Sequence, residues 1–185
     1  MNTDTVEIKF VEFRKIPRLT RECVVTEKLD GTNGVICITA DGQFLVGSRT
    51  RWITPEDDNY GFAKWAHANR EELTKLGEGT HFGEWWGQGV QRNYGLAEKR
   101  FSLFNTHRWS DPLVRPSCCH VVPVLARGLF DTGMVEAAVE NLRQTGSVAA
   151  PGFMKPEGVV VFHVGGNLLF KKTLDKDEEY KGKRG

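Results

Sequence analysis

The sequence has no long apolar segment and no opening pattern of a secreted protein. None of its apolar runs approaches the roughly 20 residues that cross a membrane as a helix. Residues 1–9 are polar and acidic, without the basic start and apolar centre of a signal peptide. We therefore expect an intracellular, cytoplasmic protein that spans no membrane.

Cysteine is scarce and is not arranged to bind metal. No two of the four cysteines, which are Cys23, Cys37, Cys118 and Cys119, have the Cys-x-x-Cys spacing typical of structural zinc sites. The adjacent pair lies in a stretch that we predict to be a strand, where the two side chains would point to opposite faces. The sequence predicts reduced, mostly buried thiols.

Neither sign of charge dominates the chain. The formal net charge is only +1, whereas a protein that coats nucleic acid nonspecifically carries a clear positive excess. Local clusters of basic residues remain at Arg14, Lys15, Arg18, Arg21, Arg49, Arg51, Lys99 and Arg100. A solvated face is the commoner explanation for any one such cluster, so composition leaves the partner open.

The remaining composition and pattern are typical of one globular domain. The 185 residues are 39% hydrophobic and 26% charged, without an internal repeat or a low-complexity linker. Apolar alternation and turn residues predict strands over 24–27, 35–39, 44–46, 81–86, 100–105, 121–129, 159–164 and 168–173, and helices over 60–76 and 132–144. This order favours an α+β fold of antiparallel sheets with flanking helices over a doubly wound parallel sheet. We assign 1–174 to this domain and 175–185 to a charged tail.

The most informative segment is Glu-Lys-Leu-Asp-Gly-Thr-Asn-Gly at 27–34. Lys28 ends an apolar strand beside a glycine-rich turn, where desolvation lowers the pKa of an amine and makes it a better nucleophile. Asp30 would share its face if the strand continued, and the glycines would let a ligand approach the backbone. An exposed hairpin with a charged rim is an equally good interpretation of this segment alone.

Three further segments carry polar groups at strand ends. Glu84 lies among aromatic residues, either holding a ribose hydroxyl or lying on an exposed edge strand. Glu157 opens an apolar strand, where its carboxylate either holds a divalent metal or is an ordinary strand-end charge. Lys171 and Lys172 end an apolar hairpin, and they either bind phosphate or discourage edge-strand aggregation.

Taken together, these segments resemble the covalent nucleotidyltransferase superfamily of ATP-dependent ligases and mRNA-capping enzymes, and above all its RNA-ligase-2-like branch. The likeness runs in order over most of the chain. Residues 28–34 resemble the nucleotidyl-lysine motif, and the Thr-Asn that follows Asp-Gly is closer to RNA ligases than to DNA ligases. The other similar segments are Ser48-Arg49, Glu84, the adenine-stacking strand 101–105, Glu157-Gly158, and Lys171-Lys172.

The resemblance implies a nucleotidyltransferase (adenylation) domain of the ATP-grasp-like ligase type that uses ATP and Mg²⁺ or Mn²⁺. Lys28 would form lysyl-AMP, pass AMP to an RNA 5′-phosphate, and the activated end would then join a 3′-hydroxyl. The resemblance assigns ATP to Glu27, Lys28, Arg49, Glu84, Phe104 (with Phe101 in reserve), Glu157, Lys171 and Lys172. It assigns catalysis to Lys28, Asp30, Glu157, Lys171 and Lys172, and metal binding to Asp30 and Glu157. The RNA ends would be contacted by Asn33, Arg49 and Arg51. The RNA-binding surface would extend to Arg14, Lys15 and Arg18.

Two departures from the family pattern leave questions open. The final motif has adjacent lysines where Lys-x-Lys is usual, and we favour Lys171 for the α-phosphate. Asn105 stands where an aspartate is usual. The sequence also ends soon after the last motif, leaving no room for a further domain, so we expect a protein partner to supply one. A DNA nick ligase, a capping-type guanylyltransferase and a non-catalytic nucleotide- or RNA-end-binding module are the alternatives.

Overall fold

Two β-sheets form the framework of the protein. The computed structural model describes residues 9–175. Its strands are β1 (Glu22–Lys28), β2 (Thr32–Ile38), β3 (Phe44–Gly47), β4 (Gly79–Gly87), β5 (Lys99–Leu103), β6 (His120–Val121), β7 (Val124–Leu129), β8 (Gly158–His163) and β9 (Leu168–Thr173). Its α-helices are α1 (Phe62–Ala68), α2 (Arg70–Leu73), α3 (Thr106–Trp109) and α4 (Thr132–Thr145). No helix within 9–175 has the length and apolar character needed to cross a membrane.

The chain moves between the two sheets at two places. One sheet has the order β7-β1-β8-β9, and the other has the order β3-β2-β4-β5-β6. The first passage is the short connection between β1 and β2, and the second lies between β6 and β7. All pairs are antiparallel except β5 with β6. The predicted α+β fold of antiparallel sheets is therefore confirmed, with one short parallel pair added.

Each sheet buries its outer face under helices. On the five-stranded sheet, Ile36, Trp85 and Phe101 pack with Phe62 and Ala66 of α1. On the four-stranded sheet, an alternating set of valines packs against α4. Because side chains alternate along a strand, the opposite faces of both sheets are left to line the space between them. We call this space the cleft, and each sheet face that lines it a cleft face. A third apolar cluster, formed by Leu29, Trp86, Tyr94, Val122 and Ala150, lies where the sheets meet.

Three sequence-based boundaries are wrong. The strand predicted over 35–39 begins earlier, because Thr32, Asn33 and Gly34 of the predicted glycine-rich turn pair with β4 and begin β2. The predicted helix 60–76 breaks at Asn69, whose side-chain amide donates to the Trp65 carbonyl at 2.8 Å. The predicted strand 121–129 divides between the two sheets, and it does so at Pro123, which has no N–H for a sheet ladder.

Helix α4 and the last hairpin agree with the prediction. Helix α4 begins after Asp131, whose side chain caps the Met134 N–H at 3.0 Å, and it stops at Gly146 with φ 81°. Strands β8 and β9 pair across a short turn in which Asn167 has φ 50°. The adjacent cysteines lie in a turn before β6 rather than in a strand, and only Cys119 of that pair is fully buried.

Gly34 provides a test of the packing behind the five-stranded sheet. A Cβ at this position would lie 2.6 Å from Phe62 Cζ and 2.8 Å from Phe101 Cε2. We expect Gly34→Ala to lower the free energy of unfolding by about 1–3 kcal/mol in urea denaturation, because these rings are already close-packed. The matched control is Gly128→Ala in β7, where the nearest side-chain atom is 3.6 Å away. Equal stability of the two variants would contradict the packing.

Candidate active site

Lys28 lies at the last position of β1, where the four-stranded sheet ends. Its Nζ donates to Glu157 Oε2 at 2.6 Å, and the two side chains are 23% and 16% exposed. Glu157 directly precedes β8, the strand that pairs with β1. The pairing of two neighbouring strands therefore brings together a lysine and a glutamate that are 129 residues apart in sequence.

Strand alternation separates Lys28 from Glu27, the residue before it. Glu27 points toward α4 and is 1% exposed. Its carboxylate accepts from Ser147 Oγ at 2.5 Å and from the N–H groups of Val148 and Ala149 at 2.9 Å each. Burial raises the pKa of Glu27, while these three hydrogen bonds act in the opposite direction. The structure thus directs the Glu27 carboxylate, which we assigned to ATP, away from Lys28. This carboxylate instead binds the loop after α4.

Glu84 faces Lys28 from the five-stranded sheet. It lies in the middle of β4, 8% exposed, in register with Asn33 of β2. Its two carboxylate oxygens accept from the Gly31 N–H at 3.0 Å and from Asn33 Nδ2 at 3.3 Å. Burial raises the pKa of Glu84 to about 7, with Glu157 and Asp30 adding to the rise and Lys28 opposing it. Predicted site residues from three separate segments, 27–34, Glu84 and Glu157, are thereby brought together.

Asp30 is held by the loop that joins β4 to β5, which sequence reasoning missed. Arg92 Nε donates to Asp30 Oδ2 at 2.7 Å, and Arg92 Nη1 donates to the Lys155 carbonyl at 3.1 Å. The Tyr94 hydroxyl accepts the Asp30 N–H at 2.8 Å. The φ angle is positive at Gln91, Asn93 and Tyr94, so the loop makes sharp turns on both sides of Arg92. The signal in the sequence was the series of glycines at 87, 89 and 95 together with Asn93, residue types that favour a tightly turning loop.

The two adjacent lysines of β9 point to opposite faces. Lys171 is in register with Val160 of β8, which in turn pairs with Thr26, so Lys171 shares the face of Lys28. Lys172 lies on the α4 face, where its Nζ donates to Glu136 Oε1 at 2.5 Å. The structure therefore brings Lys171 to the cleft face and directs Lys172 to the helix.

The predicted aromatic residues also separate by face. Phe104 follows β5 on the cleft side and is 41% exposed, whereas Phe101 is fully buried against α1. Phe101 therefore does not reach the cleft. Asn105 accepts the Arg108 N–H at 3.1 Å, and its amide caps α3 where an aspartate is usual in the family pattern.

The basic residues assigned to RNA are spread over the surface. Arg49 is exposed in the loop after β3, and Arg51 pairs with Asp57 through its two terminal guanidinium nitrogens. Arg14, Lys15 and Arg18 are exposed on the segment before β1. The side chains that the structure brings together are thus those of Lys28, Asp30, Glu84 and Glu157. The basic residues assigned to RNA lie on exposed segments instead.

The buried carboxyl of Glu84 makes the stability of the protein depend on pH. Because its pKa is 4.5 when unperturbed and about 7 in the folded protein, the folded state holds this proton more tightly. The extra stability is complete below about pH 4.5 and is lost as the pH rises to about 7, with a ceiling on the order of 3 kcal/mol. We expect Glu84→Gln to flatten this part of the pH profile in urea unfolding, and exposed Glu78→Gln to leave it in place. A decline as large as that of the wild type in Glu84→Gln would assign the effect to another group, such as Glu27, whose pKa burial also raises.

Comparisons with known proteins bear on the fold and on the family of the chain. The chain is similar to solved Naegleria gruberi RNA ligase structures, including a mutant with ATP and Mn (21% identity, TM-score 0.60, covering 83% of this chain and 49% of that one). A mutant with AMP and Mn gives 22% identity, a TM-score of 0.61 and coverages of 84% and 50%, so the chain spans about half the length of these relatives. No curated protein gives a significant match. A family model described as RNA ligase matches residues 21–173, which is most of the sequence, and the chain therefore belongs to the RNA ligase family.

Proposed function

We propose that this chain is the nucleotidyltransferase part of an ATP-dependent RNA ligase, with Lys28 as the covalent nucleophile. The observation that carries the proposal is the 2.6 Å contact between Lys28 Nζ and Glu157 Oε2 at a strand end that also faces Glu84. A lysine among carboxylates, on the face that also carries Lys171, is suited to nucleotidyl transfer rather than to packing.

In the first step, the Lys28 amine attacks the α-phosphorus of ATP. A nitrogen–phosphorus bond forms, the bond from that phosphorus to the bridging oxygen breaks, and pyrophosphate leaves with the electron pair. The amine loses a proton, and Glu157 Oε2 already accepts a hydrogen bond from Nζ and is the nearest acceptor for it. Lys171 lies on the same sheet face, where its charge would offset the charge that develops on the phosphate.

The rest of the nucleotide is held by the five-stranded sheet. The exposed ring of Phe104 stacks on the adenine, and the Glu84 carboxylate binds a ribose hydroxyl. The hydrogen bonds from Gly31 and Asn33 fix the Glu84 side chain in one orientation. Base and sugar are thereby positioned relative to Lys28 before the reaction, which is how such enzymes gain most of their rate.

The carboxylates around Lys28 fit a divalent cation. Glu157 and Asp30 offer the hard oxygen ligands that Mg²⁺ and Mn²⁺ prefer. Within 9–175, no group of three or more histidine, cysteine, aspartate or glutamate side chains is spaced to hold an ion by itself. Phosphate oxygens of ATP would complete the coordination, as is usual for magnesium sites with one or two protein carboxylates. The cation would neutralise charge on the phosphates during transfer.

The later steps transfer AMP to the RNA and join its ends. An RNA 5′-phosphate oxygen takes the adenylyl group from Lys28, and a 3′-hydroxyl then attacks that phosphate and releases AMP. Asn33 and Arg49 contact the two ends, with Arg51, Arg14, Lys15 and Arg18 as further phosphate contacts. A protein partner that extends the RNA-binding surface is also part of the proposal.

Covalent labelling tests the nucleophile. We expect incubation with α-labelled ATP and magnesium or manganese to label the wild-type protein, and Lys28→Ala to abolish the label because it removes the proposed nucleophile. GTP and nicked DNA, in parallel reactions, test the capping and DNA-ligase alternatives.

A folded wild-type protein that gains no label under any metal would rule out the ligase proposal and leave a nucleotide- or RNA-end-binding module. Circular dichroism of Lys28→Ala provides the control that the loss of label is not a loss of fold.

The two lysines of β9 form a matched pair for the phosphate contact. We expect Lys171→Ala to lower the rate of labelling by about 10²–10³-fold, the usual effect of removing one donor to a developing charge. Lys172→Ala should change stability more than rate, because this side chain pairs with Glu136 on the helix face. Single-turnover labelling rates and thermal denaturation of both variants make the comparison. The reverse pattern would assign the phosphate to Lys172.

A further inference from the structure

Three exposed aromatic side chains, Trp52, Phe82 and Phe104, form a row across the cleft face of the five-stranded sheet. The row lies beside the site just described. Val35 of β2 is in register with Gly47 of β3 and with Phe82 of β4. The Phe104 N–H donates to the Phe82 carbonyl at 3.0 Å, which continues the row onto the end of β5. The row lies two residues along the strands from Asn33 and Glu84, a separation of about 7 Å.

Trp52 extends this row onto β3. Its backbone pairs with Gly47 in an isolated bridge, and its ring covers Gly47 on the same face as Val35. A Cβ at Gly47 would come within 3.1 Å of the indole and 3.3 Å of Val35 Cβ. The absence of a side chain at Gly47 therefore allows the indole to lie close against the sheet.

These rings are exposed, although aromatic rings of this size are usually buried. Trp52 is 55% exposed, Phe82 is 56% exposed and Phe104 is 41% exposed. The other tryptophans are buried or half-buried against the helices and loops. From β3 to β5 the row spans three strand spacings, or about 14 Å, which is more than the base of one nucleotide needs.

The chemistry around the row favours an anionic ligand with planar groups. Arg49 is exposed in the loop that leads to Trp52, and Arg51 lies directly before it. Asp57 balances Arg51, so Arg49 provides the main positive charge at this end. Exposed rings on a sheet face with adjoining cations are the arrangement by which proteins bind unpaired nucleotides through base stacking and phosphate contacts.

We propose that Trp52 and Phe82 form a stacking platform for unpaired bases of an RNA strand next to the end being joined. The choice of RNA as the ligand rests on the proposed function. Phe104, at the other end of the row, remains the ring for the adenine of ATP. The platform thus adjoins the nucleotide site on one continuous sheet face. It guides the RNA strand toward Lys28 from the side of the sheet on which β3 lies.

The test is binding of a 5′-phosphorylated oligouridylate of about 12 nucleotides, measured by fluorescence anisotropy across a series of salt concentrations. We expect Trp52→Ala to weaken binding about tenfold at every salt concentration, because a stacked base is lost without a charge. Trp52→Phe should restore most of the affinity. Arg49→Ala should instead reduce the salt dependence by about one phosphate contact.

Two further variants complete the design. Phe82→Ser should weaken binding similarly, and it gives an independent measurement if Trp52→Ala proves unstable. Leu113→Ala, at a 94% exposed residue outside the row, is the control for a general effect of removing surface apolar area. RNA should also quench tryptophan fluorescence in the wild type and leave it unchanged in Trp52→Phe.

The outcomes separate this inference from the proposed ligase activity. Wild-type affinity in both Trp52→Ala and Phe82→Ser would overturn the platform, whatever ATP labelling shows. A change only in the association state of Trp52→Ala would make the row a protein contact and would also overturn it. Conversely, an absence of ATP labelling in the wild type would remove the ligase function, while the binding comparison would still decide whether the rings stack on RNA.

Discussion

Only three residues, Leu29 to Gly31, carry the chain from the end of β1 in one sheet to the start of β2 in the other. Leu29 is buried among the residues where the sheets meet, and a Cβ at Gly31 would lie 2.3 Å from the Trp85 carbonyl oxygen. The connection therefore has neither the length nor the room to let the sheets separate here. Lys28 is held at this corner, where Glu157 meets it from the residue before the paired strand β8 and Glu84 faces it from β4 of the other sheet.

Adjacent charged residues of one strand face different layers of the structure. Glu27 and Lys28 differ by one position, yet the carboxylate of Glu27 binds the loop after α4 while the amine of Lys28 faces the cleft. The same division separates Lys172 from Lys171 on β9. Since alternation of side chains along a strand is obligatory, a dipeptide of charged residues at a strand end gives one member to each layer.

The sequence was sufficient for the main strands and for the order of the candidate site residues, because apolar alternation and short motifs are local. Sequence did not predict the role of Arg92 and Tyr94, whose contacts with Asp30 depend on a loop bent by consecutive positive-φ residues. The division of 121–129 between two sheets was missed for a similar reason. A proline interrupts that run, but only the position of the second sheet decides where each half pairs.

The position of β1 in its sheet has a consequence for how the protein is made. β1 lies early in the sequence, but its neighbours β7 and β8 are Val124–Leu129 and Gly158–His163. During synthesis from the N-terminus, the strand that carries Lys28 has neither lateral partner until most of the chain has left the ribosome. Until then it is an unpaired apolar strand, the kind of segment that chaperones protect from aggregation. Completion of the four-stranded sheet and assembly of the Lys28–Glu157 pair are consequently the same late event.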